Sequence, residues 1–253
     1  MVYSKDEVMI LREGGKRLAL ILSEVRKMVA PGVTTKELDR LAERLIREGG
    51  DEPAFLEYQP EGAPVPYPAT LCVSVNDEVV HGIPGTRILE EGDIVGVDLG
   101  LRHKELFVDM AKTVPVGRID ASAASLIDET EKALSLGIAA ARATAHVGDI
   151  GYAIERYAKG RGFGIIEDLG GHGVGHGVHE EPFIPNFGRK GEGPKLRVGE
   201  VLALEPMLSE GSKNVFLSAD DHFTFKTADG KRSAHFEHTI LVTEGEAEIL
   251  TLP

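Results

Sequence analysis

At 253 residues, 42% of them hydrophobic, the chain is long enough to bury a sizeable core as one large domain or as two half-size units. Its single cysteine, Cys72, excludes an internal disulfide, and residues 1–16 hold no apolar run of the kind found in a signal peptide or membrane span, so a cytoplasmic setting is expected. A formal net charge of −13, with no basic run interleaved with aromatics, argues against nucleic acid and membranes as partners.

The spacing predicts a helix from Ser4 to Met28, opened by a capping box in which Ser4 pairs with Glu7. Thr34 and Glu37 open a second, amphipathic helix, whose segment Leu38 to Leu45 runs to a glycine stop at Gly49-Gly50. Ile94 to Leu99 reads as a strand with Val95, Val97 and Leu99 on one face, so Asp98 projects from the other. A second strand follows over Leu106 to Val114. If the turn centres on His103-Lys104, Asp98 and Asp109 face one another with Cβ atoms about 5 Å apart. Helical spacing returns from Ala121 to Ala145, and again from Ile150 to Tyr157 before Gly160 and Gly162.

The same plan is thus written twice. Val80-His81-Gly82-Ile83-Pro84 is echoed by Val178-His179-Glu180-Glu181-Pro182, and Gly92 to Asp98 by Gly199 to Glu205. Asp109 stands eight residues before Gly117 as Glu237 stands eight before Gly245. The repeated polar positions are all acidic or histidine, which points to two α+β halves, about 1–118 and 119–253, in one catalytic domain with a pseudo-twofold and a site at their junction.

Two acids on a hairpin are often no more than a solvated surface. Glu205, after the apolar run Val201 to Leu204, and Glu237, before the strand Thr239 to Val242, add two more where burial is expected. His172, His176 and His179 fall within eight residues, among closely spaced glycines that let backbone and ligand approach. Like charges so gathered repel, and a divalent cation turns that repulsion into attraction. Carboxylates with imidazole and no thiolate suit Mn²⁺, Fe²⁺, Co²⁺ or a catalytic zinc pair, with bridging carboxylates holding two ions about 3.5–4 Å apart around a shared hydroxide.

Taken together, Asn76 to Pro84, the Asp98 and Asp109 pair, Gly171-His172-Gly173-Val174-Gly175 leading to His179-Glu180-Glu181-Pro182, Leu204-Glu205-Pro206-Met207 and Phe236-Glu237-His238-Thr239 resemble the methionine aminopeptidases over nearly the whole chain. The short stretch from His179 to Glu205 is similar to the type I enzymes, and no zinc-binding N-terminal extension is read. The resemblance implies the pita-bread fold, a curved antiparallel sheet backed by two pairs of helices. It implies two divalent metal ions held by Asp98, Asp109, His172, Glu205 and Glu237, with Asp109 and Glu237 bridging. In the implied mechanism Glu205 also accepts a proton, His179 hydrogen-bonds the developing oxyanion and His81 contacts the amide on the leaving side. The implied reaction is removal of an N-terminal methionine from nascent polypeptides with a small second residue, in the cytoplasm, by a monomer, with ribosome docking as a further possibility.

In the methionine pocket, Tyr67 and Cys72 match the family, whereas Pro64 stands where a second tyrosine is common, Val178 replaces a usual phenylalanine and Phe223 a usual tryptophan. These departures imply a wider pocket. The remaining histidines, at 103, 146, 176, 222, 235 and 238, read as surface or supporting groups. Two other readings stay open: an Xaa-Pro aminopeptidase or prolidase of the same fold, which generally carries a long N-terminal domain not read here, and a metal-free binding module.

Overall fold

The computed structural model describes residues 1–60 and 62–253. In chain order its elements are α1 (Lys5–Met28), α2 (Thr35–Glu48), β1 (Glu52–Pro53), β2 (Leu71–Val75), β3 (Glu78–Val80), β4 (Ile94–His103), β5 (Leu106–Pro115), α3 (Ala121–Ala140) and α4 (Val147–Lys159). There follow β6 (Gly164–Ile165), β7 (Gly170–Gly173), β8 (Glu180–Pro185), β9 (Val201–Leu204), β10 (Met207–Ser209), β11 (Val215–Leu217), β12 (Phe225–Thr227), β13 (Ser233–His235), β14 (His238–Leu241) and β15 (Glu248–Ile249).

Both expected capping boxes are present: the Ser4 and Thr34 side chains accept from the Glu7 and Glu37 amides while those glutamates reach back to the cap. Gly49 and Gly160 end α2 and α4 as the sequence reads, but α3 stops at Ala140, short of the expected Ala145. Leu11, Leu18, Leu22 and Val25 of α1 pack with α2 against β2, β4 and β5 in one apolar core. Helices α3 and α4 pack against β9, β10, β13 and β14 in a second. Each such fully buried aliphatic side chain contributes about 1.5–3 kcal/mol relative to exposure. Among the described residues no helix is long and apolar enough to cross a membrane.

The sheets that matter for the site are two. In one, β4 carries β5 along one edge and β2 then β1 along the other; in the other the order is β15-β14-β9-β7-β8, antiparallel throughout. They meet where β5 runs beside residues 235–239. There the Glu237 amide donates to the Ala111 carbonyl (2.9 Å), and Thr239 brackets Asp109, its hydroxyl accepting from the Asp109 amide (2.9 Å) and donating to the Asp109 carbonyl (2.8 Å).

One expectation is corrected here. The β4–β5 turn centres on Lys104-Glu105, one residue later than the sequence suggested, so Asp98 pairs with Ala111 and Asp109 with Gly100. The two acids are diagonal neighbours, not opposite partners. A register offset of two leaves them on the same face, so the expected meeting of their side chains survives.

Candidate metal centre

Asp98 and Asp109 project from the long hairpin, His172 from β7, and Glu205 and Glu237 from the ends of β9 and β14 that abut it. All five line one cavity of about 60 Å³. Asp109, His172 and Glu237 offer ligand atoms within 4.8 Å of one another, and His172 Nε2 lies 3.5 Å from Glu205 Oε1. His172 is oriented by its other nitrogen: Nδ1 is 2.9 Å from the Gly173 carbonyl, which can only accept, so Nδ1 carries the proton and Nε2 presents a lone pair.

The electrostatics ask for a cation. Burial raises the pKa of all four carboxyls, and repulsion from neighbouring carboxylates adds to the shift at Asp98, Asp109 and Glu237. Asp98 Oδ1 and Glu237 Oε1 are buried with no hydrogen-bond partner among the described residues. Orphaned anionic oxygens in a closed site are costly unless something positive meets them. Burial, helped by neighbouring imidazoles, lowers His81 and His172 to about 3, and burial also lowers His179, so at neutral pH they are uncharged donors or ligands and not the missing cations. The residues present therefore fit divalent metal.

A pH dependence follows. Carboxyls with raised pKa keep protons that the unfolded chain releases above about pH 4. Their contribution to the stability of the metal-free protein is full below that value and is lost as pH rises through the folded pKa. Metal must displace those protons. Mn²⁺ affinity should therefore rise with pH, by up to about tenfold per unit for each proton displaced, with proton release visible by calorimetry in buffers of different ionisation enthalpy. Affinity flat from pH 6 to 8 would show carboxylates already ionised.

The opposite wall is apolar. Tyr67, Cys72 and Phe223 line the cavity, joined by Phe55, Tyr58 and Pro60. The Tyr67 hydroxyl donates to the Gly82 carbonyl (2.9 Å), and its ring meets Phe223 edge-on at 5.2 Å. Burial pushes the Cys72 thiol well up, which makes it a neutral wall and not a nucleophile. Val178 packs into the same apolar cluster but is not among the cavity-lining residues, and neither is Pro64. A second tyrosine is supplied after all, by Tyr58, six positions earlier in the loop. Its hydroxyl lies 2.9 Å from His179 Nδ1, and His179 stacks edge-on against His172 with centroids 4.5 Å apart.

His81 follows the turn at Asn76 and sits at φ 58°, a left-handed conformation held by its neighbours. A Cβ on Gly82 would lie 2.2 Å from the Val73 carbonyl, so only glycine lets this loop lie against β2. His81, His172, His179 and Glu205 also border a groove of about 450 Å³ with Leu169, Glu181, Phe183 and Met207. Of the other histidines, His176 is exposed, whereas His103 is buried against Asp51 (2.7 Å), His238 beside Thr251 (2.8 Å) and His235 beside Glu205 (3.3 Å).

Sequence reading missed Phe55, Tyr58 and Pro60, which lie in an irregular stretch with no periodicity to betray their side-chain direction. Gly100 was the available signal: a Cβ there would lie 2.6 Å from Phe55 Cε1, so the strand leaves room on its acidic face for this ring.

Residues 10–244 match metallopeptidase family M24. The chain is 42% identical over 245 residues to methionine aminopeptidase 1 of Bacillus subtilis, covering 97% of this chain and 96% of that protein. Its structure superposes on that of methionine aminopeptidase from Rickettsia prowazekii with a TM-score of 0.96 at 36% identity, covering 100% and 99% of the two chains. Prolidase from Pyrococcus furiosus shares the fold at a TM-score of 0.76, with 20% identity and 65% of that longer chain covered. The architecture is the pita-bread fold of a metal-dependent hydrolase, and the chain belongs to metallopeptidase family M24 and, within it, to the methionine aminopeptidases.

Proposed function

We propose that this chain removes the N-terminal methionine from nascent proteins and peptides whose second residue is small, using two divalent ions held by Asp98, Asp109, His172, Glu205 and Glu237. The observation that carries the reading is a small cavity with an acidic floor and an apolar wall that opens into a wider groove. One side chain fits against Phe55, Tyr67, Cys72 and Phe223, and the rest of the peptide leaves past Leu169 and Phe183. Asp98 and Asp109 from the hairpin, with His172, Glu205 and Glu237 from the second sheet, would hold the ions in the cavity they line together. Manganese, iron, cobalt and zinc all suit this donor set.

Divalent ions bound there lower the pKa of water and polarise a carbonyl. The Tyr58 hydroxyl lies 2.9 Å from His179 Nδ1; in the tautomer in which Tyr58 donates there, Nε2–H is the donor available to the developing oxyanion. Glu205, a carboxylate at the cavity floor, takes up the proton released by attacking water. Neutral His81, at the junction of cavity and groove, binds the amide on the leaving side. The halves 1–118 and 119–253 contribute Asp98 and Asp109 on one hand, and His172, Glu205 and Glu237 on the other, so the site is complete only across their junction. The setting we propose is the cytoplasm, with the enzyme acting as a monomer that can dock at the ribosome.

A peptide panel tests this. Met-Ala-Ser should lose one methionine and then stop, and kcat/KM should exceed that for Leu-Ala-Ser by at least about tenfold, since hydrophobic pockets discriminate by about 1–3 kcal/mol per methylene-sized change. Equal rates on the two would mean that Phe55 and Tyr58 do not close the pocket. Preferential cleavage of Ala-Pro-Ala would favour the prolidase reading.

A further inference from the structure

We propose that His235 is a positioning residue for the metal centre, donating its Nε2–H to Glu205 Oε2 so that Oε1 is held towards His172. The inference rests on the metal reading above and extends it to a residue outside the five ligands. His235 is only 3% exposed, and its Nε2 has no hydrogen-bond partner among the described residues, yet it lies 3.3 Å from Glu205 Oε2. The other oxygen of the same carboxylate lies 3.5 Å from His172 Nε2. Glu205 is thus bracketed by imidazoles, one on each oxygen.

The backbone on both sides is fixed. Thr113 holds the peptide at His235 from both directions, its hydroxyl donating to the His235 carbonyl (2.9 Å) and accepting from the His235 amide (2.9 Å). Asn186 donates to the Glu205 carbonyl (3.1 Å). With both main chains pinned, the remaining freedom is in the carboxylate itself. A carboxylate that binds a cation is ionised and can only accept, so the proton shared by this pair must then sit on Nε2. A buried N–H left without an acceptor costs free energy, which gives the imidazole a physical stake in an ionised, metal-binding Glu205. His235 does not itself complete a compact donor triad: the group of three close ligand atoms is Asp109, His172 and Glu237.

The test is calorimetric titration of the chelator-treated full chain with Mn²⁺, alongside the thermal midpoint of the metal-free protein. For His235→Leu the Mn²⁺ Kd should rise about 10- to 100-fold, the usual effect of losing such a partner. The metal-free Tm should stay the same or rise, because in the metal-free protein Nε2 has no hydrogen-bond partner to lose and the donation to Glu205 belongs to the metal-bound state. His235→Gln, whose amide can donate but binds metal poorly, should bring the Kd back to within a few-fold. Unchanged affinity in the leucine variant would overturn the proposal. Equal loss in both variants with unchanged Tm would make His235 a ligand, and equal loss with lowered metal-free Tm would make it a scaffold residue; either outcome overturns the positioning role. A natural protein that binds no Mn²⁺, Co²⁺ or Zn²⁺ would fail at the metal reading first and take this proposal with it.

Discussion

Asp109→Asn is expected to give a folded protein with no measurable peptidase activity and a deficit of bound metal. The substitution keeps the shape, and the features that hold residue 109 in place do not depend on its charge. The Thr239 hydroxyl brackets its peptide group, and its Oδ1 accepts from the Met110 amide at 2.9 Å, which an asparagine oxygen can also do. What is lost is a negative charge at the point where Asp109, His172 and Glu237 converge. If Asp109 bridges, both ions lose a ligand together, so affinity should fall by more than the roughly 10- to 100-fold typical of an outer-shell change. Elemental analysis of protein purified without chelator, with kcat on Met-Ala-Ser, checks it. An asparagine variant carrying two metals and full activity would remove Asp109 from the ligand set.

His179→Ala should lower kcat by about 10²- to 10³-fold while metal content and KM change little, the signature of a donor that matters in the transition state more than in the ground state. The side chain is exposed at the mouth of the cavity, so its loss leaves no large internal void. Tyr58→Phe should reproduce a smaller part of the effect, because the ring stays but the hydroxyl contact that orients His179 at Nδ1 is gone. Should the alanine variant raise KM alone, His179 binds substrate and does not act on the oxyanion.

Local signals in the sequence were legible because the physics is local. Ser4, Thr34, Gly49 and Gly160 mark helix ends through groups within a few residues of themselves, and all four do so here. The ends of β9 and β14 could be read from apolar runs beside Glu205 and Glu237. The β4–β5 register could not. Its turn uses Lys104 and Glu105 at φ 45° and 72°, conformations that asparagine and glycine usually announce, and two charged residues give no such notice. The end of α3 is illegible for a similar reason, since Ala139 to Ala145 contains neither glycine nor proline. The apolar wall depends on tertiary contact between a loop and a strand, where the only trace in the sequence is a missing side chain.

That missing side chain, Gly100, ties together two properties that a designer would prefer to vary separately. The strand bearing Asp98 also provides the bare patch on which the Phe55 ring rests. Any larger residue there would collide with Ala54 and thrust the Phe55 ring towards the cavity it lines, on the strand that also carries Asp98. Altered selectivity is therefore more readily reached through the loop carrying Phe55 and Tyr58, whose replacement leaves the hairpin untouched. A lineage of such enzymes could drift in what it accepts through that loop, while position 100 stays closed to change.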